Sequence, residues 1–470
     1  MTNTAAPFST NVPGLDPILG GGITPGSLAL IIGPPGAGKT VLASQIVFGA
    51  ARRGMRALIF TAYSEGHVKY LNHLRAFEFF DERLIGDSVT LLSMQTLLTP
   101  SGENQSATLL RVIREARAQI VLLDGFQGLE ASLPNPNVLR TFLAALAAQM
   151  SFVPTTMLLT IAGDARDSQF DPELTTADVV VGMRYSLVNR RHVRRLEVVK
   201  QRGRVYLSGT HSYFIESDGL RVMPRIEVYP EPGEPHRLDG RAAFGLPELD
   251  KILYGGLTVG SSTVLAGAPS TGKTTLALHW ALADTRPDAR TLLVSLSEYP
   301  DQLIRKAASF GLPLEQAVRD GTIELLWLSP VELDPDYFAN ALLAAMAKPG
   351  VTRLVIDDMS SLLRELDDRA YTYCQSLRQL LYGLGVTSLF MLEIDAFAGF
   401  KVNLANNPVG VLAENLIVVQ QVEDGGAIRR VLAVLRMRFS DYDRTLRVLA
   451  LSDHNVHVLS PEESRIDGDG

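Results

Sequence analysis

Two stretches of the chain decide its fold: GPPGAGKT at residues 33–40 and GAPSTGKT at residues 267–274. Both match the pattern G-x-x-x-x-G-K-[ST], and each follows a short apolar run and precedes a helix-like segment. Glycines at these positions let successive backbone N–H groups close around a phosphate, and the following helix points its positive dipole end at the same place. One match could be a glycine-rich turn, but two in the same context predict two phosphate-binding loops.

Side chains of these loops complete the predicted site. Lys39 and Lys273 are expected to place positive charge beside the β- and γ-phosphates of ATP, while Thr40 and Thr274 offer hydroxyls to Mg²⁺. ATP and Mg²⁺ are therefore the predicted ligands. The residues predicted to bind the phosphates are Gly33, Gly36, Ala37, Gly38, Lys39 and Thr40 in the first copy and Gly267, Ser270, Thr271, Gly272, Lys273 and Thr274 in the second.

A carboxylate ends a later apolar run in each half. Asp124 closes the run VLLD and Asp357 closes the run LVID. Open parallel sheets bind ligands beyond the carboxyl ends of their strands, so both carboxylates are predicted to hold the magnesium shell through water. A helix N-cap is the alternative for each of them, and Asp358 is expected to be such a cap.

The two halves repeat these landmarks at an almost constant offset. Lys273 minus Lys39 is 234, and Asp357 minus Asp124 is 233. Apolar strands alternate with helices in both halves, so we predict an α/β chain of two duplicated domains, each a mostly parallel twisted sheet flanked by helices. The predicted parts are a disordered N-terminus at 1–11, a first domain at 12–226, a linker at 227–241, a second domain at 242–458 and an acidic tail at 459–470.

Composition and charge restrict the classes of protein to which the chain can belong. The 470 residues are 46% hydrophobic and 20% charged, which is typical of a soluble globular protein. The net charge of −7 argues against a protein that coats nucleic acid. The single cysteine, Cys374, excludes an intramolecular disulfide and is interpreted as a small buried residue. The N-terminus has no secretory signal pattern, so we predict a cytoplasmic protein with no membrane contact.

Over nearly its full length the chain resembles the KaiC group of RecA-like ATPases. The resemblance extends beyond the loops to the lead-in Gly-Leu-Asp at 14–16, its counterpart Leu-Asp at 249–250, and the run LEVVKQRG at 196–203. It implies two tandem RecA-like P-loop domains and a homo-oligomeric ring, usually a hexamer, with ATP at the subunit interfaces.

In that group the K-x-R-G segment reaches the nucleotide of the neighbouring subunit. The resemblance assigns this role to Lys200 and Arg202, and to Arg436 and Arg438 in the second half. A fixed cation there would stabilise the charge that develops on the transferring phosphoryl group. The alternative is a solvated basic strand.

Domains of this group commonly carry two adjacent glutamates at the end of the second strand, the first being the candidate for polarising the attacking water. Here the pairs are Ser64-Glu65 and Ser297-Glu298. Serine is not a general base at neutral pH without activation, so either Glu65 and Glu298 take over or hydrolysis is slow. A helix-capping or ion-paired glutamate is the structural alternative.

Clock members of the group carry adjacent Ser and Thr phosphoacceptors in a stretch matching Asn406–Leu416. No hydroxyl residue occurs from Lys401 to Ala427, so autophosphorylation at that site is predicted to be absent. An autokinase that uses other phosphosites stays an alternative. The resemblance also places Phe310 near adenine, with a core position as the other interpretation.

Three functions stay open from sequence. The leading hypothesis is an ATP-hydrolysing ring that acts as a nucleotide-dependent conformational switch or signalling regulator with a protein partner. The second is a nucleic-acid-binding RecA-like ATPase, and the third is a scaffold that binds ATP to hold the ring together. Loop residues bearing on the second are Arg166, Phe170, Phe397, Phe400 and Lys401, offset by Asp164, Asp167, Asp171 and Glu173.

Overall fold

The computed structural model describes most of the chain. The described residues are 6–61, 66–94, 105–125, 143–148, 154–167, 171–188, 191–229, 239–284, 286, 288–395, 407–452 and 455–460. Contacts divide the chain into two compact units, Met1–Val228 and Tyr229–Gly470. The division falls inside the predicted linker at 227–241, of which residues 230–238 lie outside the described part.

One nine-stranded sheet forms the centre of the first unit, in the order β3-β2-β4-β5-β1-β6-β7-β8-β9. The strands from β3 to β6 pair in parallel, and β6 to β9 pair antiparallel. The strands are β1 Leu28–Gly33, β2 Ala57–Thr61, β3 Val89–Ser93, β4 Ile120–Leu123, β5 Thr156–Ala162, β6 Val179–Val188, β7 Arg191–Gln201, β8 Thr210–Glu216 and β9 Gly219–Met223. The helices are α1 Leu15–Ile18, α2 Lys39–Arg52, α3 His67–Leu74, α4 Gln105–Ala116 and α5 Asp171–Thr176.

The second unit repeats this arrangement. Its large sheet has the order β14-β13-β15-β16-β12-β17-β18-β19-β20, and β10 and β11 form a separate antiparallel pair. The strands are β10 Arg241–Ala242, β11 Leu257–Thr258, β12 Ser262–Gly267, β13 Arg290–Ser295, β14 Ile323–Trp327, β15 Val351–Asp357, β16 Thr387–Glu393, β17 Asn415–Asp424, β18 Ala427–Met437, β19 Arg447–Ser452 and β20 Asn455–Leu459. The helices are α6 Pro247–Ile252, α7 Lys273–Leu282, α8 Pro300–Ser309, α9 Leu314–Arg319, α10 Pro335–Met346, α11 Met359–Leu363 and α12 Ala370–Gly383. The same strand order in both sheets confirms the predicted fold class and the duplication.

Burial on both faces explains why the central strands are apolar at every position. In β1, Ala29 and Ile31 belong to one hydrophobic cluster, and Leu28, Leu30 and Ile32 belong to another on the opposite face. Successive side chains of a strand point to opposite faces, so a strand covered on both sides needs apolar residues throughout. Packing on both faces of the sheet therefore fixes the positions of the strand ends, where the polar residues lie.

The predicted disorder of residues 1–11 is wrong for the part that the structure describes. Phe8 forms an antiparallel bridge with Ile23, and Thr10 is fully buried. The backbone N–H of Thr10 donates to Oδ1 of Asp16 at 2.8 Å. In the second unit Asp250 receives the backbone N–H of Gly245 at 3.0 Å. The aspartate of the shared lead-in therefore ties down the segment that precedes it, which composition alone does not reveal.

At the other end, the predicted tail begins one residue too early. Leu459 is the last residue of β20, and Ser460 follows it in the described part, whereas 461–470 lie outside. No helix among the described residues is both long and apolar enough to cross a bilayer.

Candidate nucleotide site

Each phosphate loop joins the central strand to the helix behind it. Helix α2 begins at Lys39 and α7 at Lys273. Gly36 and Gly38 have φ values of +81° and +90°, in the left-handed region that glycine tolerates. Packing adds a second constraint, since a Cβ on Gly38 would lie 2.5 Å from Cδ1 of Ile215. Gly38 is therefore constrained by both conformation and packing, whereas the position of Gly36 is occupied in the second loop by Ser270, at φ +62°.

Both loop lysines turn back onto their own loop. The Nζ of Lys39 donates to the carbonyl oxygens of Gly33 at 2.8 Å and Pro34 at 3.0 Å. The Nζ of Lys273 donates to the matching carbonyl oxygens of Gly267 and Ala268, each at 2.8 Å. Burial lowers the pKa of both lysines, and nearby carboxylates oppose that shift. The two ammonium groups thus lie at the mouth of their loops.

The threonine after each lysine contacts the predicted metal-side aspartate. Thr40 Oγ1 donates to the two carboxylate oxygens of Asp124 at 3.1 and 3.0 Å, and Thr274 Oγ1 donates to Oδ2 of Asp357 at 3.3 Å. Asp124 also accepts from Thr160 Oγ1 at 2.6 Å. The structure therefore brings together hydroxyl and carboxylate groups that are 83 or 84 positions apart in the chain.

These oxygen ligands fit Mg²⁺, which is usually held by one or two protein groups together with water and phosphate oxygens. Among the described residues no three His, Cys, Asp or Glu side chains cluster as a metal cage. Burial, together with the Asp358 and Glu298 carboxylates, raises the pKa of Asp357 to about 7. A carboxylate with a raised pKa attracts a nearby cation, since positive charge stabilises its ionised form.

The structure excludes the helix-cap alternative for Asp357. Asp358 Oδ1 accepts the backbone N–H of Ser361 at 3.0 Å and caps α11, as predicted. Asp357 is the final residue of β15 and faces Thr274, so its interpretation as the cap is wrong. For Asp124 the residues after Gly125 lie outside the described part.

A cleft of about 470 Å³ surrounds the second loop. Besides the loop itself, it is lined by Ser297, Glu298, Lys306, Phe310, Asp357, Asp358, Glu393 and Leu451. Phe310 borders the cleft and packs on the core cluster, and its position near adenine stays a prediction. Lys306 and Glu393 were missed from sequence. Glu393 ends the buried strand β16, so the rule that selected Asp357 also finds Glu393.

Glu298, the predicted catalytic glutamate of the second half, already has an ion-pair partner. Glu298 forms an ion pair with Nζ of Lys306 on α8, and its side chain is 26% exposed. Its backbone N–H donates to Ser295 Oγ at 3.1 Å, which fixes the turn after β13. The matching Ser64 and Glu65 lie outside the described residues.

The basic pair of the first half folds onto its own unit. Lys200 Nζ donates to the carbonyl oxygens of Leu174 and Thr175, each at 2.8 Å. Arg202 donates to the same Thr175 carbonyl at 2.7 Å and to Oδ1 of Asp178 at 3.3 Å. Both cations therefore contact the Thr175 carbonyl, although Arg202 lies one residue beyond the end of β7 and does not alternate with Lys200 on the strand.

The corresponding pair of the second half is more open. Arg436 and Arg438 are both exposed, and Arg438 lies 3.8 Å from the Glu414 carboxylate. Glu414 precedes β17 as Asp178 precedes β6, so each arginine faces an acid at the same place in its fold.

A tyrosine not predicted from sequence braces the first loop. Tyr213 on β8 is 2% exposed, and its hydroxyl donates to the carbonyl oxygen of Ala37 at 2.6 Å. In the second unit Arg430 of β18 donates through Nε to the carbonyl oxygen of Ser270 at 3.2 Å. In each unit a residue of the antiparallel strands thus donates a hydrogen bond to the loop backbone.

Tyr213→Phe is expected to reduce stability by about 1 kcal/mol and to weaken nucleotide binding severalfold, because the buried Ala37 carbonyl loses its donor. Urea unfolding and titration with a fluorescent ATP analogue measure the two effects. The control is Tyr185→Phe, whose more exposed hydroxyl contacts Pro35 at 3.2 Å. Equal effects of the two variants would contradict a special role for the buried hydroxyl.

The duplicated sheet, the loop after its central strand and the aspartate that ends a neighbouring strand define a pair of RecA-like P-loop domains. Comparison with known families agrees with this class. The model of the KaiC ATPase family matches residues 8–227 and again 242–463. The chain therefore belongs to the KaiC family, as a KaiC-like ATP-binding protein of two tandem domains.

Curated relatives resemble the chain along its whole length. It is 25% identical to the circadian clock oscillator protein KaiC of Picosynechococcus sp., covering 96% of this chain and 89% of the relative. It is 24% identical to the protein of the same name from Synechococcus elongatus, again covering 96% and 89%.

Proposed function

We propose that the chain hydrolyses ATP at two sites within a homo-oligomeric ring, and that its nucleotide state acts as a conformational switch. The observation that carries the proposal is the duplicated set of lysine, threonine and aspartate at both loops. Each set combines a phosphate-binding ammonium with the oxygen groups that accept a magnesium-bound nucleotide.

In this mechanism the loops bind, and other residues act on the phosphoryl group. Lys39 and Lys273 exchange their loop carbonyls for phosphate oxygens, while Thr40 and Thr274 would hold Mg²⁺ with Asp124 and Asp357 behind them. Bound Mg²⁺ would supply charge neutralisation. Glu65 and Glu298 are proposed to orient the attacking water, which for Glu298 requires a shared or opened contact with Lys306.

Glu65→Gln and Glu298→Gln are expected to reduce turnover without loss of nucleotide binding, because the amide keeps the shape and loses the charge. The double variant should lose at least about tenfold in kcat, since positioned acid–base groups contribute roughly 10²–10⁴-fold. Steady-state phosphate release measures this loss. Glu315→Gln, at an exposed glutamate of α9, is the control. Unchanged hydrolysis in the double variant would remove both residues from the mechanism.

We further propose that Lys200, Arg202, Arg436 and Arg438 serve the nucleotide of a neighbouring subunit. Their present contacts are carbonyl oxygens and single carboxylates at exposed or half-exposed sites, which cost little to exchange. A ring would place each basic pair at an interface and couple hydrolysis to ring geometry. The supporting observation is that both halves present the pair at the same sheet position.

Comparing particle size with ATP, ADP and a non-hydrolysable analogue separates the switch from a scaffold. A switch changes shape or partner affinity between ATP and ADP, whereas a scaffold needs only bound nucleotide. Scattering and sedimentation provide the measurement. Identical behaviour in ATP and ADP would contradict the switch.

The nucleic-acid alternative receives little support from the described residues. Arg166 is the one basic candidate in the described part, and it is paired with Glu197 at 3.1 Å. The other aromatic and basic candidates, Phe170, Phe397, Phe400 and Lys401, lie outside the described part. Salt-dependent anisotropy with a single-stranded oligonucleotide tests the alternative.

A further inference from the structure

The carboxylates that border the cleft at the second loop differ in the protein groups that they contact. Glu298 is paired with Lys306, Asp358 caps α11 and Asp357 accepts from Thr274. Glu393 borders the same cleft and is exposed. Within the described ranges its carboxylate has neither a hydrogen bond nor an ion pair. Among the described residues, it is thus the carboxylate of this cleft that makes no hydrogen bond or ion pair.

The backbone fixes Glu393 beside the loop. It is the last residue of β16 and stands opposite Gly267 in the parallel register. The next backbone N–H, of Ile394, donates to the Gly267 carbonyl at 3.2 Å, and the N–H of Glu393 donates to Ser360 Oγ at 3.1 Å. Since Lys273 Nζ also contacts the Gly267 carbonyl, the start of the loop links both residues.

Electrostatics agree with this proximity. Burial lowers the pKa of Lys273, and of the carboxylates that oppose this effect Glu393 contributes most, ahead of Asp357 and Asp358. Lys273 is the residue expected beside the β- and γ-phosphates. Glu393 therefore lies on the same side of the cleft as the lysine that is expected to contact the terminal phosphates.

The matching strand end of the first unit carries alanine instead of an acid. In its matching register Gly33 stands opposite Ala162, the last residue of β5. A methyl group cannot accept a proton or a hydrogen bond from water. The two loops are alike, whereas the strand ends beside them are not.

We propose that Glu393 is the general base for ATP hydrolysis in the second site. This inference rests on the proposed function and deepens it. The water oxygen forms a bond to the γ-phosphorus as the bond from that phosphorus to the β–γ bridging oxygen breaks. ADP leaves with the bonding electrons, and a water proton passes to the Glu393 carboxylate and from there to solvent. Glu298, held by Lys306, acts as a positioning residue for the same water.

The consequence is an asymmetric pair of sites. The second site has an uncommitted carboxylate from a different strand, which compensates for the serine at position 297. The first site depends on Glu65 alone. We therefore expect the second site to hydrolyse ATP faster than the first.

The test uses the full chain with Lys39→Ala, so that binding and turnover report the second site. Adding Glu393→Gln should lower kcat at least about 100-fold while the Kd of a fluorescent ATP analogue changes less than about threefold. Glu393→Asp should retain part of the rate because it keeps a carboxylate. Asp395→Asn is the matched control, an exposed acid two positions along that does not border the cleft.

Four outcomes are decisive. If the Lys39→Ala chain neither binds nor hydrolyses ATP, the proposed function fails at the second site. If it hydrolyses ATP and Glu393→Gln does so at the same rate, only the role of Glu393 is overturned. Binding that weakens as much as turnover would also overturn it, by making Glu393 a ground-state contact. A Lys273→Ala chain that hydrolyses faster than the Lys39→Ala chain contradicts the asymmetry.

Discussion

Replacing Lys39 and Lys273 together by alanine is expected to abolish ATP hydrolysis and to leave the fold intact. Each ammonium lies at the mouth of its loop, bonded to two loop carbonyls that a phosphate can replace. Removing one preorganised donor to a transferring group commonly lowers kcat by roughly 10²–10³-fold. Lost charge-assisted contacts should also weaken binding by about 1.5–3 kcal/mol, or roughly 10- to 100-fold.

Single variants separate the two sites. Lys39→Ala should remove one bound nucleotide per chain and Lys273→Ala the other, as counted by equilibrium dialysis. Lys348→Ala is the matched control, because this exposed lysine pairs with Glu324 away from the loop. Two nucleotides still bound tightly by the double variant would refute the assignment of both loops.

Alanine in place of Arg202 or Arg438 is expected to cause the second large loss, about 10³-fold in turnover at the affected sites with nucleotide binding retained. An arginine that stabilises a transferring phosphoryl group contributes roughly 10³–10⁵-fold. Removing either side chain should change the stability of the fold only slightly, since Arg202 is 54% exposed and Arg438 50% exposed. Arg221→Ala, an exposed arginine paired with Asp218, is the control.

A mixing experiment tests whether the arginine acts on a neighbour. Chains with Lys273→Ala in both partners are prepared, one also carrying Lys39→Ala and the other Arg202→Ala. Each is inactive alone, but a mixed ring restores sites in which an intact Lys39 faces an intact Arg202 from the next subunit. Recovery of hydrolysis on mixing supports action in trans. Failure to recover, with mixed rings demonstrated by mass spectrometry, contradicts it.

Local sequence determined the parts of the site whose geometry depends on consecutive residues. A loop of eight residues between a strand and a helix specifies its own backbone, so Lys39, Thr40 and their counterparts could be placed from the pattern. The aspartates were found because an apolar run that ends in an acid predicts a strand whose end faces ligands. The helix cap at Asp358 followed from the same local rules.

The sequence-based predictions failed where contacts between residues far apart in the chain determine the structure. Thr10 lies in a segment without an apolar period, yet it is buried and its backbone N–H donates to Asp16. The mistake at residues 8–11 therefore reflects this contact together with the backbone bridge between Phe8 and Ile23. Tyr213 was missed because its partner, Ala37, is 176 positions away.

The sequence by itself determined two α/β domains and predicted two phosphate loops and the acids that end strands beside them, because each depends on short-range patterns of burial and backbone geometry. Only the tertiary structure decided which carboxylates are committed: Glu298 pairs with Lys306 on the helix that follows it, whereas Glu393 reaches the loop from another strand. Sheet order places Glu393 beside the loop, since it brings strand ends from distant positions to one edge. The two loops look equivalent in sequence, and their surroundings make the sites chemically unequal.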